Sequence, residues 1–348
     1  MKKSIFLSFI LCLCLVACIP QQAMAQKQSR MEKLLRYLND NDADKWQKNR
    51  EKLDDETKAY YAEDLSLMDV LNDLWNGQSE QAATLYFGCY EKAAQNNFPG
   101  ICEGEKIPLS QIRDKADQSI INLLEASKDK IPFSRALLDS IHATEYPVDS
   151  AMLQRLQNIR EVALLEGMLK APTPIIYQTY VKEYPNGKFI AQVNASENVR
   201  LYQLVKTTPT PANFKAFFED PEMQKYYQDR GPRPYLAEVR TLYDDFLFQR
   251  IDSLKKEGNA TAIRQIIDDY KNTPYLATGA RTHLNDLEYL SEKADFELLK
   301  PAIVNSESLG LLQEFLKTHK YKEFRDQAKN LRAPFILQAI VSTPTTVK

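Results

Sequence analysis

Few residues of this 348-residue chain have the types and spacing that catalysis or metal binding requires. The histidines are His142, His283 and His319, and none has a second histidine or a cysteine at metal-ligand spacing. No G-x-S-x-G nucleophile turn occurs, and the ten glycines form no phosphate-binding loop. Adjacent carboxylates such as Asp244 and Asp245 are interpreted as solvated helix faces. The sequence therefore predicts no catalytic residue, no metal ligand and no cofactor.

Two cysteines beyond the N-terminal segment could carry a different kind of chemistry. Cys89 and Cys102 lie thirteen positions apart, on either side of an Asn-Asn-Phe-Pro-Gly turn. In an oxidising compartment such a pair predicts a disulfide bond. Closing so short a loop would stabilise the fold by about 3 kcal/mol in the chain-entropy model. The alternative is two independent buried thiols.

Residues 1–25 have the pattern of an export signal: a charged start, then an apolar core at residues 4–19 that is short for a membrane span. Two processing sites fit this pattern. Cleavage after Ala25, at a small-x-small site, would release a soluble protein that begins at Gln26. The stretch Leu-Val-Ala-Cys that ends at Cys18 resembles a bacterial lipobox, in which Cys18 would be acylated. Both alternatives predict export to the periplasm or outer membrane of a Gram-negative bacterium.

The remaining chain is predicted to be all-α, because glycine is scarce while tyrosine and phenylalanine number 18 and 15. A charged helix is expected over residues 45–65. Ala333 and Pro334 are expected to interrupt the last repeat unit, and a capping helix with a loose end is expected after them. Helices that open at a capping residue recur, and aromatic residues follow at comparable places. These aromatic residues, 46, 40 and 49 positions apart, are Phe189, Tyr235, Tyr275 and Phe324. A period near 40–45 with two helices per unit predicts a solenoid of antiparallel helical hairpins.

The clearest copy of this unit contains the sequence Y-P-N-G-K-F-I-A, residues 184–191. It resembles the Y-P-x-S-x-Y-x-x-x-A signature of tetratricopeptide-like repeats in bacterial envelope proteins, such as the outer-membrane assembly lipoproteins. The resemblance covers roughly residues 132–333 and implies a TPR-like superhelix that binds proteins. The predicted divisions are a signal peptide (1–25), an N-terminal helical region (26–131), the repeats (132–333) and a C-terminal cap and tail (334–348).

The predicted repeat pattern breaks at residues 226–234, where a longer insertion replaces a short turn. It carries Tyr226, Tyr227, Arg230 and Arg233, and insertions in solenoids often form the binding face. With a net charge of −2 and no basic surface, nucleic acid is not an expected partner. We therefore expect a non-catalytic scaffold that binds an envelope protein or peptide, with membrane contact only through a lipid at Cys18. The alternative is a glycan-binding component or an enzyme with an unrecognised active site.

Overall fold

A computed structural model describes residues 25–77, 79–95, 109–144, 146–257, 259–276 and 283–342. Every regular element in these ranges is a helix and none is a strand, which confirms the all-α prediction. The chain divides into two compact units, Met1–Val193 and Asn194–Lys348. This division falls inside the predicted repeat region, and the predicted boundaries at residues 131 and 333 stay predictions.

The first unit is built from nine helices within its described residues. They are α1 (residues 25–39), α2 (Ala43–Glu51), α3 (Asp55–Tyr60), α4 (Ala62–Trp75), α5 (Glu80–Gln95), α6 (Leu109–Ala126), α7 (Lys130–Ala143), α8 (Ser150–Lys170) and α9 (Pro174–Glu183). Helix α10 (Ile190–Thr207) contains the boundary between the units.

The start of the first unit contains more helices than its sequence pattern indicates. Leu34 and Leu38 of α1 are fully buried in the core, so α1 is an integral part of the unit. The prediction of one helix over residues 45–65 is wrong, because the chain forms α2, α3 and α4 there. The carboxylate of Asp54 accepts a hydrogen bond from the Thr57 amide at 2.7 Å. Asp54 therefore caps a new helix where the apolar spacing alone indicated continuity.

Helix α9 begins as its sequence predicts. The hydroxyl of Thr173 accepts a hydrogen bond from the Ile176 amide at 3.3 Å, and Pro174 occupies the first helical turn. Near the end of α9, Glu183 forms an ion pair with Arg160 of α8, whose side chain is 2% exposed. The guanidinium also donates to the Ile131 carbonyl at 2.8 Å. These contacts hold α8 and α9 together around a buried charge, as well as around apolar side chains.

Three helices of the second unit, α11, α12 and α14, also begin at a capping side chain. The helices after α10 are α11 (Pro211–Glu219), α12 (Pro221–Tyr227), α13 (Leu236–Glu257), α14 (Ala260–Asn272), α15 (Leu284–Ala302), α16 (Leu309–Thr318) and α17 (Lys322–Ser342). Thr210 caps α11 through the Asn213 amide at 3.2 Å, and Asn259 caps α14 through the Ala262 amide at 3.0 Å. Helix α17 continues through Pro334, where the last repeat unit is predicted to be interrupted. A missing amide hydrogen removes one helical hydrogen bond without ending the helix.

One aromatic contact recurs along the second unit. Tyrosines of α10, α13 and α15 pack against aromatic residues that come after α12, α14 and α16 in the chain. The pairs, with ring centroids 4.3, 5.4 and 5.1 Å apart, are Tyr202–Tyr235, Tyr243–Tyr275 and Tyr289–Phe324. Phe324 is buried, whereas Tyr235 is 41% exposed and has a left-handed backbone φ of 64°. The predicted periodic aromatic residues therefore pack together, although not all of them are buried.

Candidate functional site

The second unit has a cleft of about 520 Å³ beside the insertion at residues 226–234. Its wall includes residues of α11, α12 and α13 and of the turn after α14. The residues that define its chemistry are Phe218, Met223, Tyr227, Arg233, Arg240 and Tyr275. A cleft of this volume is within the range of sites that bind small molecules or short peptide segments.

The local sequence specifies a short helix that leads into the insertion and a turn within it. The carboxylate of Asp220 accepts a hydrogen bond from the Met223 amide at 2.8 Å and so caps α12. Met223 is fully buried and fixes this helix to the unit. After α12, Gly231 has a φ of 95°, which residues with a side chain rarely adopt. The chain turns there and brings the start of α13 to the cleft.

The four predicted partner-binding residues do not all contribute to the cleft. Tyr227 and Arg233 line it. The guanidinium of the exposed Arg230 lies 4.4 Å from the ring of Tyr226 and donates to the Tyr226 carbonyl at 2.8 Å. The Tyr226 ring in turn packs edge-on against Tyr227. Tyr226 and Arg230 therefore support the insertion from outside the cleft lining.

Arg233 has a structural role in the wall. Its Nε donates to Asn198 Oδ1 at 2.6 Å, and its Nη1 donates to the Phe217 carbonyl. The guanidinium lies 3.9 Å from the centre of the Phe217 ring. Asn198 is 1% exposed and also donates to the Pro234 carbonyl at 3.2 Å. Arg233 therefore fixes the end of the insertion against α10 and α11.

Sequence reasoning missed two residues that decide the cleft's chemistry, Tyr275 and Arg240. The ring of Tyr275 stacks on Phe218 at 4.4 Å, and its hydroxyl donates to the carboxylate of Glu219. Arg240 is half-buried, and its Nε has no hydrogen-bond partner among the described residues. The adjacent phenylalanines 217 and 218 were a visible signal, because two neighbouring helix positions cannot both face one core. Nothing in the local sequence distinguishes Arg240.

The ionisable side chains among the described lining residues are two tyrosines, one glutamate and two arginines. Burial raises the pKa of the Tyr227 hydroxyl above its ordinary value, so this group is protonated at neutral pH. Glu219 already accepts the hydrogen bond of Tyr275. No histidine, cysteine or serine is among the described residues that line the cleft. The cleft therefore offers apolar and aromatic walls with a cationic group, Arg240, that can donate to an anionic or carbonyl oxygen.

The other predicted sites lie partly outside the described residues. The thiol of Cys89 is half-buried on α5 and 3.6 Å from the Ser66 hydroxyl. Cys102 is outside the described residues, so the disulfide bond stays a prediction. Cys18 and residues 1–24 also lie outside them. None of the described helices is both long enough and apolar enough to span a membrane.

Comparison with protein-family models gives no match, and comparisons with curated proteins and with solved structures give none either. The function is therefore inferred from the sequence and geometry of the chain itself.

Proposed function

We propose that this chain is a non-catalytic helical-repeat protein that holds a peptide segment of a protein partner in the cleft beside the insertion. The partner would be another protein or peptide of the bacterial envelope. The cleft supports this proposal most directly, because it combines apolar walls with an arginine that lacks a hydrogen-bond partner at its Nε among the described residues.

The repeat architecture is supported by contacts that recur with the sequence period. The tyrosines at positions 202, 243 and 289 are 41 and 46 residues apart, and each packs against the aromatic residue of the following unit. Successive helices pack in pairs, α13 with α14, α14 with α15 and α16 with α17, and α15 also contacts α17. Such nearest-neighbour packing is typical of a TPR-like solenoid of antiparallel hairpins. A solenoid with one enlarged turn commonly binds its partner there.

The lining residues indicate what the peptide would contain. Phe218, Tyr275 and Met223 present apolar surface for a large aliphatic or aromatic side chain. The guanidinium of Arg240 would bind a carboxylate, preferably with two parallel hydrogen bonds. We therefore expect the peptide to carry an acidic residue, or its own terminal carboxylate, next to a large apolar side chain.

Selection from a random peptide library tests this proposal even though the partner is unidentified. Peptides enriched on the purified protein are expected to share the acidic and apolar pair and to bind with micromolar affinity. Arg240→Ala should weaken them at least tenfold, because a charge-assisted hydrogen bond contributes about 1.5–3 kcal/mol. Arg230→Ala is the matched control, since Arg230 is outside the cleft lining and contacts Tyr226. Peptides that bind the Arg240 variant as tightly as the original protein would contradict the proposal.

Export to the envelope is part of the same proposal and rests on the sequence of residues 1–25. The mass of the protein purified from bacterial envelopes distinguishes its two forms. A chain that begins at Gln26 indicates a soluble periplasmic protein, whereas a lipid-modified Cys18 indicates a membrane-anchored one. A protein recovered from the cytoplasm with Met1 intact would contradict both.

A further inference from the structure

Two acids and a histidine that are distant in sequence come together in the second unit. Asp244 and Asp245 lie on α13, and His283 immediately precedes α15. His283 Nε2 is 3.9 Å from Asp244 Oδ2 and 3.5 Å from Asp245 Oδ1. One ligand atom from each of the three residues lies within 4.8 Å of the others.

Neighbouring side chains hold two of these ligands in place. Asp244 is 3% exposed, and its Oδ1 accepts the hydrogen bond of the buried Tyr270 hydroxyl of α14. The imidazole of His283 stacks on the ring of Phe248 with centroids 4.0 Å apart and planes at 12°. Hydrogen bonds and packing of this kind orient the ligands of protein metal sites.

A second histidine, His319, allows a comparison, because it forms an ordinary hydrogen bond with an aspartate. His319 stacks on Phe315 in nearly the same way, with centroids 3.9 Å apart and planes at 15°. Its Nε2 lies 3.1 Å from Asp295 Oδ2, which is a normal hydrogen bond. His283 Nε2 is buried beside two carboxylates, yet it has no hydrogen-bond partner among the described residues.

The distances around His283 Nε2 are too long for direct hydrogen bonds but suit atoms that share a cation. Zinc is bound tetrahedrally with bonds of about 2.1 Å, so neighbouring ligand atoms are about 3.4 Å apart. The distance to Asp245 already agrees with this value, and the distance to Asp244 would shorten by a few tenths of an ångström. Imidazole favours zinc over calcium or magnesium, which prefer sites built only from oxygen.

We propose that Asp244, Asp245 and His283 bind one zinc ion. The two carboxylates would neutralise its charge, and water or a ligand would complete a tetrahedral set. The ion would join α13 to the start of α15 and so stabilise the hairpin that α14 forms with them. This site is independent of the peptide-binding proposal, because it shares none of the cleft-lining residues.

Calorimetric titration of chelator-treated protein with zinc chloride tests the site. One zinc ion per chain is expected to bind with micromolar or tighter affinity. Asp245→Asn and His283→Ala should each weaken binding at least tenfold. The Asp245 side chain is 53% exposed, so its substitution leaves the fold intact and the result interpretable. His319→Ala is the matched control and should bind zinc like the original protein.

Four outcomes would overturn the assignment. The first is no saturable zinc binding, which would make the cluster a histidine–aspartate ion pair. The second is zinc binding that both Asp245→Asn and His283→Ala retain. The third is an equal loss in the His319→Ala control, which would place the ion elsewhere. The fourth is calcium or magnesium binding as tight as zinc binding, since a site with an imidazole ligand should discriminate against both.

Discussion

Gly187, in the turn after α9, is the residue whose substitution the structure predicts most sharply. A Cβ atom added there would lie 2.6 Å from the Tyr180 hydroxyl and 2.8 Å from Tyr184 Cβ, and it would also meet the Glu161 carboxylate. Real Cβ atoms essentially never approach other heavy atoms within 3.0 Å. Gly187→Ala therefore requires at least two neighbouring side chains to move.

Those side chains are joined by hydrogen bonds that the movement would break. The Tyr180 hydroxyl donates to Glu161 at 2.8 Å and accepts from the Phe189 amide at 3.1 Å. Losing each bond costs about 1 kcal/mol, and overpacking of a close-packed site costs about 1–3 kcal/mol. We expect Gly187→Ala to lower the free energy of unfolding of the first unit by about 3 kcal/mol.

Tryptophan fluorescence during urea denaturation measures this effect in the correct unit. Both tryptophans, Trp46 and Trp75, lie in the first unit, as does Gly187. With a urea dependence of about 2 kcal/mol per molar, the expected loss lowers the transition midpoint by about 1.5 M. Gly310→Ala is the matched control, because a Cβ there meets no atom within 4 Å and Gly310 lies in the second unit. A midpoint for Gly187→Ala that equals that of the control would refute the reasoning.

Two further predictions concern buried charges of the first unit and use the same fluorescence assay. Glu183→Gln should destabilise the unit by about 2–3 kcal/mol because it leaves the buried Arg160 guanidinium without its anionic partner. The control is Asp139→Asn, which removes an exposed ion pair and should destabilise the unit by about 0.5 kcal/mol or less. Burial raises the pKa of Asp64 from 3.8 to about 7, so the folded chain retains a proton that the unfolded chain releases. The free energy of unfolding should therefore fall as the pH rises from about 4 to about 7, and it should fall less in the Asp64→Asn variant. The same pH dependence in that variant and in the original protein would contradict this expectation. A Glu183→Gln variant as stable as Asp139→Asn would contradict the first one.

The parts of the fold that the sequence predicted well are those set by local interactions. Thr173, Thr210 and Asn259 each cap a helix through an amide three residues later, so four or five residues contain the whole signal. The prediction of one helix over residues 45–65 was wrong because two local signals competed there. At Asp54 a cap overcame an apolar stripe that continued past it. At Pro334 the helix continued although one backbone hydrogen bond was lost.

The candidate sites were harder to predict because they combine distant positions. The break in the repeat pattern indicated the insertion as a candidate site, and Tyr227 and Arg233 line the cleft beside it. Tyr275, however, reaches it from a turn about fifty residues farther along the chain. Spacing rules missed the acid and histidine cluster for the same reason, because α14 separates Asp244 from His283 in the chain. Such rules detect ligands only when they share one helix or turn.

Helix α13 carries charged residues of both candidate sites, Arg240 in the cleft and Asp244 and Asp245 in the acid and histidine cluster. Arg240 and Asp244 are four positions apart, so they lie one turn apart on the same side of the helix. Packing within the unit uses apolar positions such as Val239, Leu247 and Ile251. Charged groups that are partly buried between those positions cost desolvation free energy, which a helix with only a packing role would avoid. A bound carboxylate at Arg240 and a bound cation at Asp244 would offset that cost, and this is the physical reason to look for ligands on α13.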